Sequence, residues 1–426
     1  MTARSGGLIA PLVAAAYLAA SDDLMLVIAI PGIGRVRLGM AVMAALLIAA
    51  ALLARRSPHE PGSGPDRRRA ACWLVTAWVA LHAAVSCWGP IGHPRAIGFG
   101  LWGLGLGGVA VGLAWLRPPF ADCLRWMTLG VTLIGLGQLA LFTLGWPSGV
   151  MLIWPNGVPR INGLASEPSY WIGIAAAPTI AWACWLGMRG AAVSWGERLW
   201  LAAAFAACGF SSSRVGVAVC ALAAVLMLAG GWGWRRPALR AAGAWACAGL
   251  AVFAATYAVC AWSPRDSRIR ADAYLGGLGL ADRNTGSIDR RQENAALTWG
   301  VFQRHPIIGV GQGGIGPEIA AQRGVVYGSE WHVGEGGLLP ELLAATGVVG
   351  GVLLAGLALA VAMGLRGPGG WNRELIIGLL ALAVVAIGLI YNQNPLRLSA
   401  WFLFGLVLST LRPSGGPIRP LAERQA

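Results

Sequence analysis

Residues 241–262 read AAGAWACAGLAVFAATYAVCAW and residues 338–364 read LLPELLAATGVVGGVLLAGLALAVAMG; between them, from Pro264 to Gly336, the chain turns polar. An apolar run of about 20 residues is long enough to cross the hydrocarbon of a bilayer. A single ionisable segment hung between two such runs is where a membrane protein can meet a polar substrate. That segment contains Arg290, Arg291, His305 and His332.

Working outward, the same apolar texture recurs along the chain. The runs number about twelve: 7–30, 38–54, 71–88, 96–116, 126–146, 169–188, 199–210, 215–233, 241–262, 338–364, 375–392 and 398–411. With 57% hydrophobic and 12% charged residues, the composition excludes a water-soluble globule. The net charge of +14 would suggest nucleic acid in a soluble protein. Here all 32 basic side chains are arginine and they cluster at the ends of apolar runs, which argues against that partner. The expected fold is an all-α polytopic membrane protein of about twelve helices. Its expected parts are spans 1–9 within 1–263, a mostly helical loop at 264–336, spans 10–12 within 337–412, and a tail at 413–426.

Alternate loops test the orientation. One set carries Arg55, Arg56, Arg67, Arg68, Arg69, Arg117, Arg125, Arg189, Arg198, Arg235, Arg236, Arg240, Arg366 and Arg373, with Arg4, Arg412, Arg419 and Arg424 in the tails. The short loops of the other set hold Arg35, Arg37, Arg95, Arg160, Arg214 and Arg397. Positive residues favour the cytoplasmic side in short loops. Both termini are therefore expected in the cytoplasm and 264–336 outside it. Tryptophans such as Trp73, Trp88, Trp115 and Trp146 fall near run ends, where amphipathic rings prefer to lie. No cysteine falls in the polar segment, so no disulfide framework is expected. The first run has a polar break at Ser21-Asp22-Asp23, which allows it to be kinked or split, and it can serve as a retained anchor without a cleaved signal peptide.

Four polar sites share the outer face. Arg160-Ile161-Asn162-Gly163-Leu164-Ala165-Ser166-Glu167-Pro168-Ser169-Tyr170 precedes a span, with Ser166 and Pro168 reading as helix-start residues. A capped span with a solvated loop is the plainer reading, and Arg160 with Glu167 also reads as a surface pair of little energetic value. Ser211-Ser212-Ser213-Arg214 is squeezed between two runs. Its arginine either snorkels or meets an anion, for which the hydroxyls are suited donors. Asp289-Arg290-Arg291 opens a helical stretch to Phe302, followed by His305-Pro306-Ile307-Ile308-Gly309-Val310-Gly311-Gln312-Gly313-Gly314. That last run mimics a dinucleotide fingerprint, but no strand precedes it, and a glycine-rich turn at the membrane surface fits better. Trp331-His332 stands before span 10, and its imidazole is a ready general base or, more plainly, a cap for that span. His305, His332, Glu330 and Glu335 have no metal-ligand spacing, so no metal and no cofactor are expected.

In their order these sites resemble the O-antigen ligase and O-antigen polymerase superfamily of bacterial envelope glycosyltransferases, over roughly residues 150–365. Arg160 to Tyr170 is similar to that family's Arg-x-x-Gly-x-x-x-Glu-Pro-Ser element, and Ser212-Ser213-Arg214 to its Ser-Arg element. Arg291 ahead of His305-Pro306-Ile307-Ile308-Gly309-Val310-Gly311, and His332 ahead of Gly347-Val348-Val349-Gly350, resemble its remaining two. Val333 replaces the family's asparagine, and Ala345 and Thr346 stand where an acidic residue is expected. The resemblance implies a metal-independent, inverting enzyme of the GT-C type in the bacterial inner membrane. It would move a glycan from undecaprenyl pyrophosphate to a sugar hydroxyl on the periplasmic face. His332, Arg214 and Arg291 are the implied catalytic residues, with Arg160, Glu167, Tyr170, Ser213, Arg290 and His305 as substrate contacts. The acceptor is either a growing glycan (polymerase, favoured by Glu167-Pro168-Ser169) or lipid A core (ligase), and a chain-length regulator is a possible partner. A lipid-linked-sugar flippase would show charges inside the spans and internal repeats, which the sequence lacks. A receptor or scaffold would have no use for Arg214 and His332 at the membrane.

Overall fold

The computed structural model describes residues 2–20, 27–30, 34–54, 67–88, 94–144, 146, 152–153, 159–165, 168–188, 193–211, 213–233, 236–261, 285–326, 336–367, 370–392 and 397–411. A helix stands at each of the twelve apolar runs: α1 Thr2–Ala20, α2 Leu38–Ala54, α3 Arg67–Trp88, α4 Pro94–Leu116, α5 Phe120–Thr143, α6 Pro168–Met188, α7 Trp195–Phe210, α8 Arg214–Gly233, α9 Pro237–Ala261, α12 Leu338–Gly364, α13 Arg373–Asn392 and α14 Leu398–Ser409. Two further helices, α10 Thr285–Arg304 and α11 Gln312–Gln322, occupy the polar segment. Among the described residues six helices are long and apolar enough to cross a membrane, namely Arg67–Trp88, Ile97–Leu116, Phe120–Thr143, Tyr170–Met188, Pro237–Thr256 and Leu338–Gly364. The chain is therefore a multi-pass membrane protein.

The run over 7–30, which its polar break allowed to split, is not one helix. Helix α1 stops at Ala20, and Val27–Ile30 (β1) instead pairs antiparallel with Gly34–Arg37 (β2). Serine and aspartate are weak helix formers, so the polar break at Ser21-Asp22-Asp23, which lies outside the described residues, is a sequence signal for dividing the run. Beyond them, Val27-Ile28-Ala29-Ile30 has the β-branched character of a strand. Two more hairpins are formed by Leu152–Ile153 with Pro159–Arg160 (β3, β4) and by Arg366–Gly367 with Gly370–Trp371 (β5, β6).

The chain divides into two compact units. The first comprises residues 1–53, 121–289 and 380–392. Its central helix is α6, with 83% of its apolar window buried against 33–44% for the other five long apolar helices. Trp171, Ile180 and Ala181 of α6 are fully enclosed. Helices α7 and α9 approach at Gly249, where an added Cβ would lie 2.1 Å from the Ala202 carbonyl oxygen. Close backbone approach through small residues is the usual way to pack helices in lipid, where no hydrophobic force draws them together. Helix α7 begins at a capping box: the Glu197 amide donates to the Ser194 hydroxyl (3.3 Å) and the Ser194 amide to the Glu197 carboxylate (3.0 Å).

Pro178 lies inside α6 and has no N–H to give the carbonyl of Ile174, four residues back. The buried Tyr17 hydroxyl of α1 donates to that carbonyl instead, at 2.8 Å. An otherwise orphaned polar group thus becomes a tie between two helices.

The second unit comprises residues 54–120, 290–379 and 393–426. Here α3 runs against α12 with opposite sense. At one end Arg67, at the start of α3, donates to the carbonyls of Met363 and Arg366 (3.1 Å to the latter) at the finish of α12. At the other end, His82 and Ser86 of α3 meet Gln312 and Gly311 of the polar segment. The span between is ~33 Å for a helix of 22 residues, close to the thickness of the hydrocarbon. Within this unit, arginines expected in the cytoplasm and the segment expected outside it lie at opposite helix ends. Trp78, Leu106, Leu113, Phe402 and Leu406 form the core between.

The tie to Ile174 makes a prediction. Tyr17→Phe should cost about 1–3 kcal/mol by leaving the carbonyl unpaired, read as a lower denaturation midpoint of the purified protein. Adding Pro178→Ala supplies the missing N–H, so the double variant should recover; an unchanged midpoint for Tyr17→Phe alone would remove the tie from the account.

Candidate active site

In the first unit, two of the four expected elements meet. The Ile161 amide, next to Arg160, donates to the carbonyl of Phe210 (3.0 Å), the last residue of α7 and four before Arg214. Arg160 sits on β4 paired with Leu152, and Arg214 is the first residue of α8. For both arginines the backbone is described. Ile161, Asn162 and Ala165 are buried, so this stretch is built into the protein and is not a solvated loop. Asn162 closes it locally, its Nδ2 donating to the Ala165 carbonyl at 2.8 Å.

Gln138 of α5 fixes the stretch from the side. Its Nε2 donates to the Gly163 carbonyl (2.9 Å) while its Oε1 accepts from the Gly163 amide (2.8 Å). One buried side-chain amide thereby satisfies both backbone groups of a residue. Gly163 has φ 55, and an added Cβ would fall 2.2 Å from the Trp171 ring. Only glycine meets both demands. Ser213 is buried, accepts from the Val217 amide through its carbonyl (2.8 Å), and begins the first turn of α8. Tyr170 is half-buried in the first turn of α6, and Glu167 lies outside the described residues.

In the second unit, the His305–Gly311 and Gly347–Gly350 elements dock on each other through their backbones. Helix α12 is broken at Gly347, which adopts φ 62, ψ −163, a conformation essentially confined to glycine. The break frees carbonyls before it and amides after it. The amides of Val310 and Gly311 donate to Ala344 and Ala345 (both 2.9 Å). In return the amides of Val348 and Val349 donate to Pro306 (2.7 Å) and Ile307 (3.1 Å). These four bonds are a short ladder between a turn and a split helix, which is how irregular backbone survives at membrane depth. The contact is close: a Cβ on Gly347 would lie 2.3 Å from the Ile307 carbonyl.

Helix α10 carries positions 290 and 291 in its backbone, and an added Cβ on Gly336 would lie 2.2 Å from the Thr298 hydroxyl and 3.1 Å from the Asn294 carbonyl. Positions 294 and 298 follow 291 by one turn and two turns on one helix face. The chain leaving His332 is therefore held, four residues on, against the face of α10 to which position 291 belongs. His332 itself lies outside the described residues. His305, half-buried at the end of α10, has its Nε2 3.6 Å from Glu318 of α11, which also accepts from Arg304 at 2.8 Å. Among the described residues no group of three histidine, cysteine, aspartate or glutamate side chains is placed to hold a metal ion.

Gln138, His82, Gln312 and Glu341 were not singled out by sequence reasoning. The signal for three of them was a lone polar residue inside an apolar run.

The arrangement is thus a helical membrane scaffold that uses buried polar contacts to hold arginine-bearing chain at its helix ends. Residues 199–355 match the family model described as O-antigen ligase. The matched range contains Arg214, Arg290, Arg291, His305, His332 and the Gly347 break, and excludes Arg160, Glu167 and Tyr170. No curated protein matches the chain. Over that range the chain is similar to O-antigen ligases.

Two substitutions test the site's framework. Gly347→Ala should lose about 1–3 kcal/mol from its backbone conformation alone, with a further loss from the Ile307 clash. Gly351→Ala, whose Cβ would meet only Leu343 at an ordinary 3.4 Å, should be neutral. Equal thermal unfolding of the two variants in detergent would contradict the ladder. Gln138→Leu leaves two buried groups of Gly163 unpaired, at about 1–3 kcal/mol each. It should unfold earlier and lose glycan assembly in cells; normal assembly would show that the 160–165 stretch does not need its side support.

Proposed function

We propose that the chain is a metal-independent, inverting glycosyltransferase of twelve spans and GT-C-like architecture. It moves a glycan from undecaprenyl pyrophosphate to a sugar hydroxyl at the periplasmic face of the bacterial inner membrane. Both termini are cytoplasmic and 264–336 is periplasmic. The observation that carries this reading is the docked pair of elements, Pro306–Gly311 on the Gly347 break. They are built at the helix ends opposite Arg67 and Arg366, within the range that matches the O-antigen ligase family.

The chemistry needs no protein nucleophile. The acceptor oxygen attacks the anomeric carbon, the bond from that carbon to the pyrophosphate oxygen breaks, and undecaprenyl pyrophosphate leaves with the electron pair. His332 takes the acceptor proton. Arg214 and Arg291, supported by Arg160 and Arg290, stabilise charge growing on the leaving group, for which a planar guanidinium is well matched. Glu167, Tyr170, Ser213 and His305 line the substrates. A single displacement inverts the carbon.

Polymerase is the favoured role, on the strength of Glu167-Pro168-Ser169, with the growing glycan as acceptor and a chain-length regulator as partner. The description of the matched family supports ligase, with lipid A core as acceptor. The two separate by what accumulates: cells lacking a polymerase hold single repeats on the carrier lipid, and cells lacking a ligase hold finished polymer on it.

Arg214→Lys and Arg291→Lys keep the charge and lose the fork, so each should abolish glycan assembly in cells deprived of the native copy. His332→Ala should reduce transfer by about 10²–10⁴ while leaving lipid-donor binding intact. Full assembly by both lysine variants, or near-normal transfer by His332→Ala, overturns the reading.

A further inference from the structure

Helix α11 is tied at both ends to the chain that flanks His332. At its C-terminal end the amides of Gly324 and Val325 bond back to Ala321 (3.1 Å) and Ala320 (3.0 Å), turning the chain out of the helix. At its N-terminal end the Gln312 side-chain amide donates to Glu341 Oε2 at 2.8 Å, in the first turn of α12. Chain that leaves one end of α11 is thus bonded, fifteen residues after Val326, to the other end, ~16 Å away for a helix of 11 residues.

The backbone of Gln312 is anchored in turn. Its amide, at the part-buried start of α11, faces Nε2 of His82 at 3.4 Å. His82 is completely buried on α3, stacked on Trp78 at 5.7 Å, and packed so close to Gly103 that a Cβ there would come within 2.7 Å of Nδ1. To accept this bond the imidazole must be neutral with its proton on Nδ1. One turn on, Ser86 touches Gly311. Three helices, α3, α11 and α12, therefore converge on the one residue Gln312.

Packing alone does not call for this arrangement. A carboxylate buried in the first turn of a membrane helix is costly, and apolar residues of similar size would join the helices at least as firmly. What a directional polar bracket adds is register. We infer that Gln312, Glu341 and His82 are positioning residues for the transfer site: the Gln312–Glu341 bond, held from behind by His82, sets where the first turn of α12 and Gly336 lie against the helix that carries Arg291. This rests on the proposed function above. Displacements of about 1 Å at a reacting centre cost on the order of 10²-fold in rate.

The test uses the full chain in lipid nanodiscs. Turnover is followed as release of undecaprenyl pyrophosphate from lipid-linked glycan extracted from cells lacking the protein, and donor binding with undecaprenyl pyrophosphate alone. Gln312→Met and Gln312→Glu should each lower kcat by about 10- to 100-fold while binding of the probe stays near that of the native chain, and both should melt earlier because Glu341 loses its donor. The exchange pair Gln312→Glu with Glu341→Gln restores donor and acceptor in reversed order, and should regain most of the turnover lost in Gln312→Glu. Native kcat in Gln312→Met overturns the inference. So does an exchanged pair that melts normally and remains as slow as Gln312→Glu. His332→Ala is run alongside: if it is inactive while Gln312→Met is native, only the positioning role falls. If His332→Ala itself is active, the reading of the site falls.

Discussion

Backbone amides and carbonyls have no water to turn to inside a bilayer, and each one left unpaired costs several kcal/mol. The break at Gly347 exposes this chain to that penalty in the middle of a 27-residue helix. The four hydrogen bonds from and to Pro306, Ile307, Val310 and Gly311 are what make the break tolerable. Everything else in the second unit arranges itself around that docking. The turn must arrive with its amides aimed at Ala344 and Ala345, so α10 must end at Arg304 and α11 must begin at Gln312. Ser86 and His82 of α3 then back the turn from the other side.

The first unit solves the same problem with side chains. Pro178 opens a gap in α6 and Tyr17 fills it. Gly163 leaves the regular structure, and Gln138 supplies both missing bonds. In each case a polar side chain from one helix completes the backbone of another element, so the groups that permit irregular chain also fix its place. Irregular chain held by such ties has a fixed place in its unit. That connects the energetics of burial to the pre-organisation a charge-stabilising site requires.

The helices were legible because composition decides them: twelve apolar runs became twelve helices, and the capping signals at Ser194-Trp195-Gly196-Glu197 and Pro168 stand at helix starts. The strand within 7–30 was not legible because hydropathy sums an apolar strand and an apolar helix alike. Only the polar interruption at Ser21-Asp22-Asp23 hinted that the run divides. The candidate site was legible as motifs and not as pairings. Nothing local in Gly347-Val348-Val349-Gly350 says that its amides bond to Pro306 and Ile307, forty residues earlier. A ladder of this kind is a property of tertiary contact. Gln138, His82 and Glu341 were readable only as exceptions, polar residues where lipid-facing ones were the rule. Exceptions of that sort are more informative in a membrane chain than in a soluble one, since the alternative of pointing at water is closed to them.

The exclusive use of arginine follows from the same scarcity of partners. Arg67 reaches two carbonyls at the end of α12 with one guanidinium nitrogen. Arg68 and Arg69 lie over the Trp115 ring at 5.7 and 6.0 Å, Arg366 over Trp371 at 4.9 Å, and Arg198 over Trp195 at 5.1 Å. A guanidinium is weakly hydrated and planar, so it can stack on an aromatic face and still direct donors at carbonyls. A lysine ammonium is strongly hydrated and offers no flat face, so it is poorly suited to both tasks at once. Helix ends where tryptophan and unsatisfied carbonyls crowd together therefore favour arginine whatever the chemistry of the protein. The consequence for the site is that arginine at a helix end is not by itself a sign of substrate. Arg67, Arg68, Arg198 and Arg366 already have their partners in carbonyls and rings.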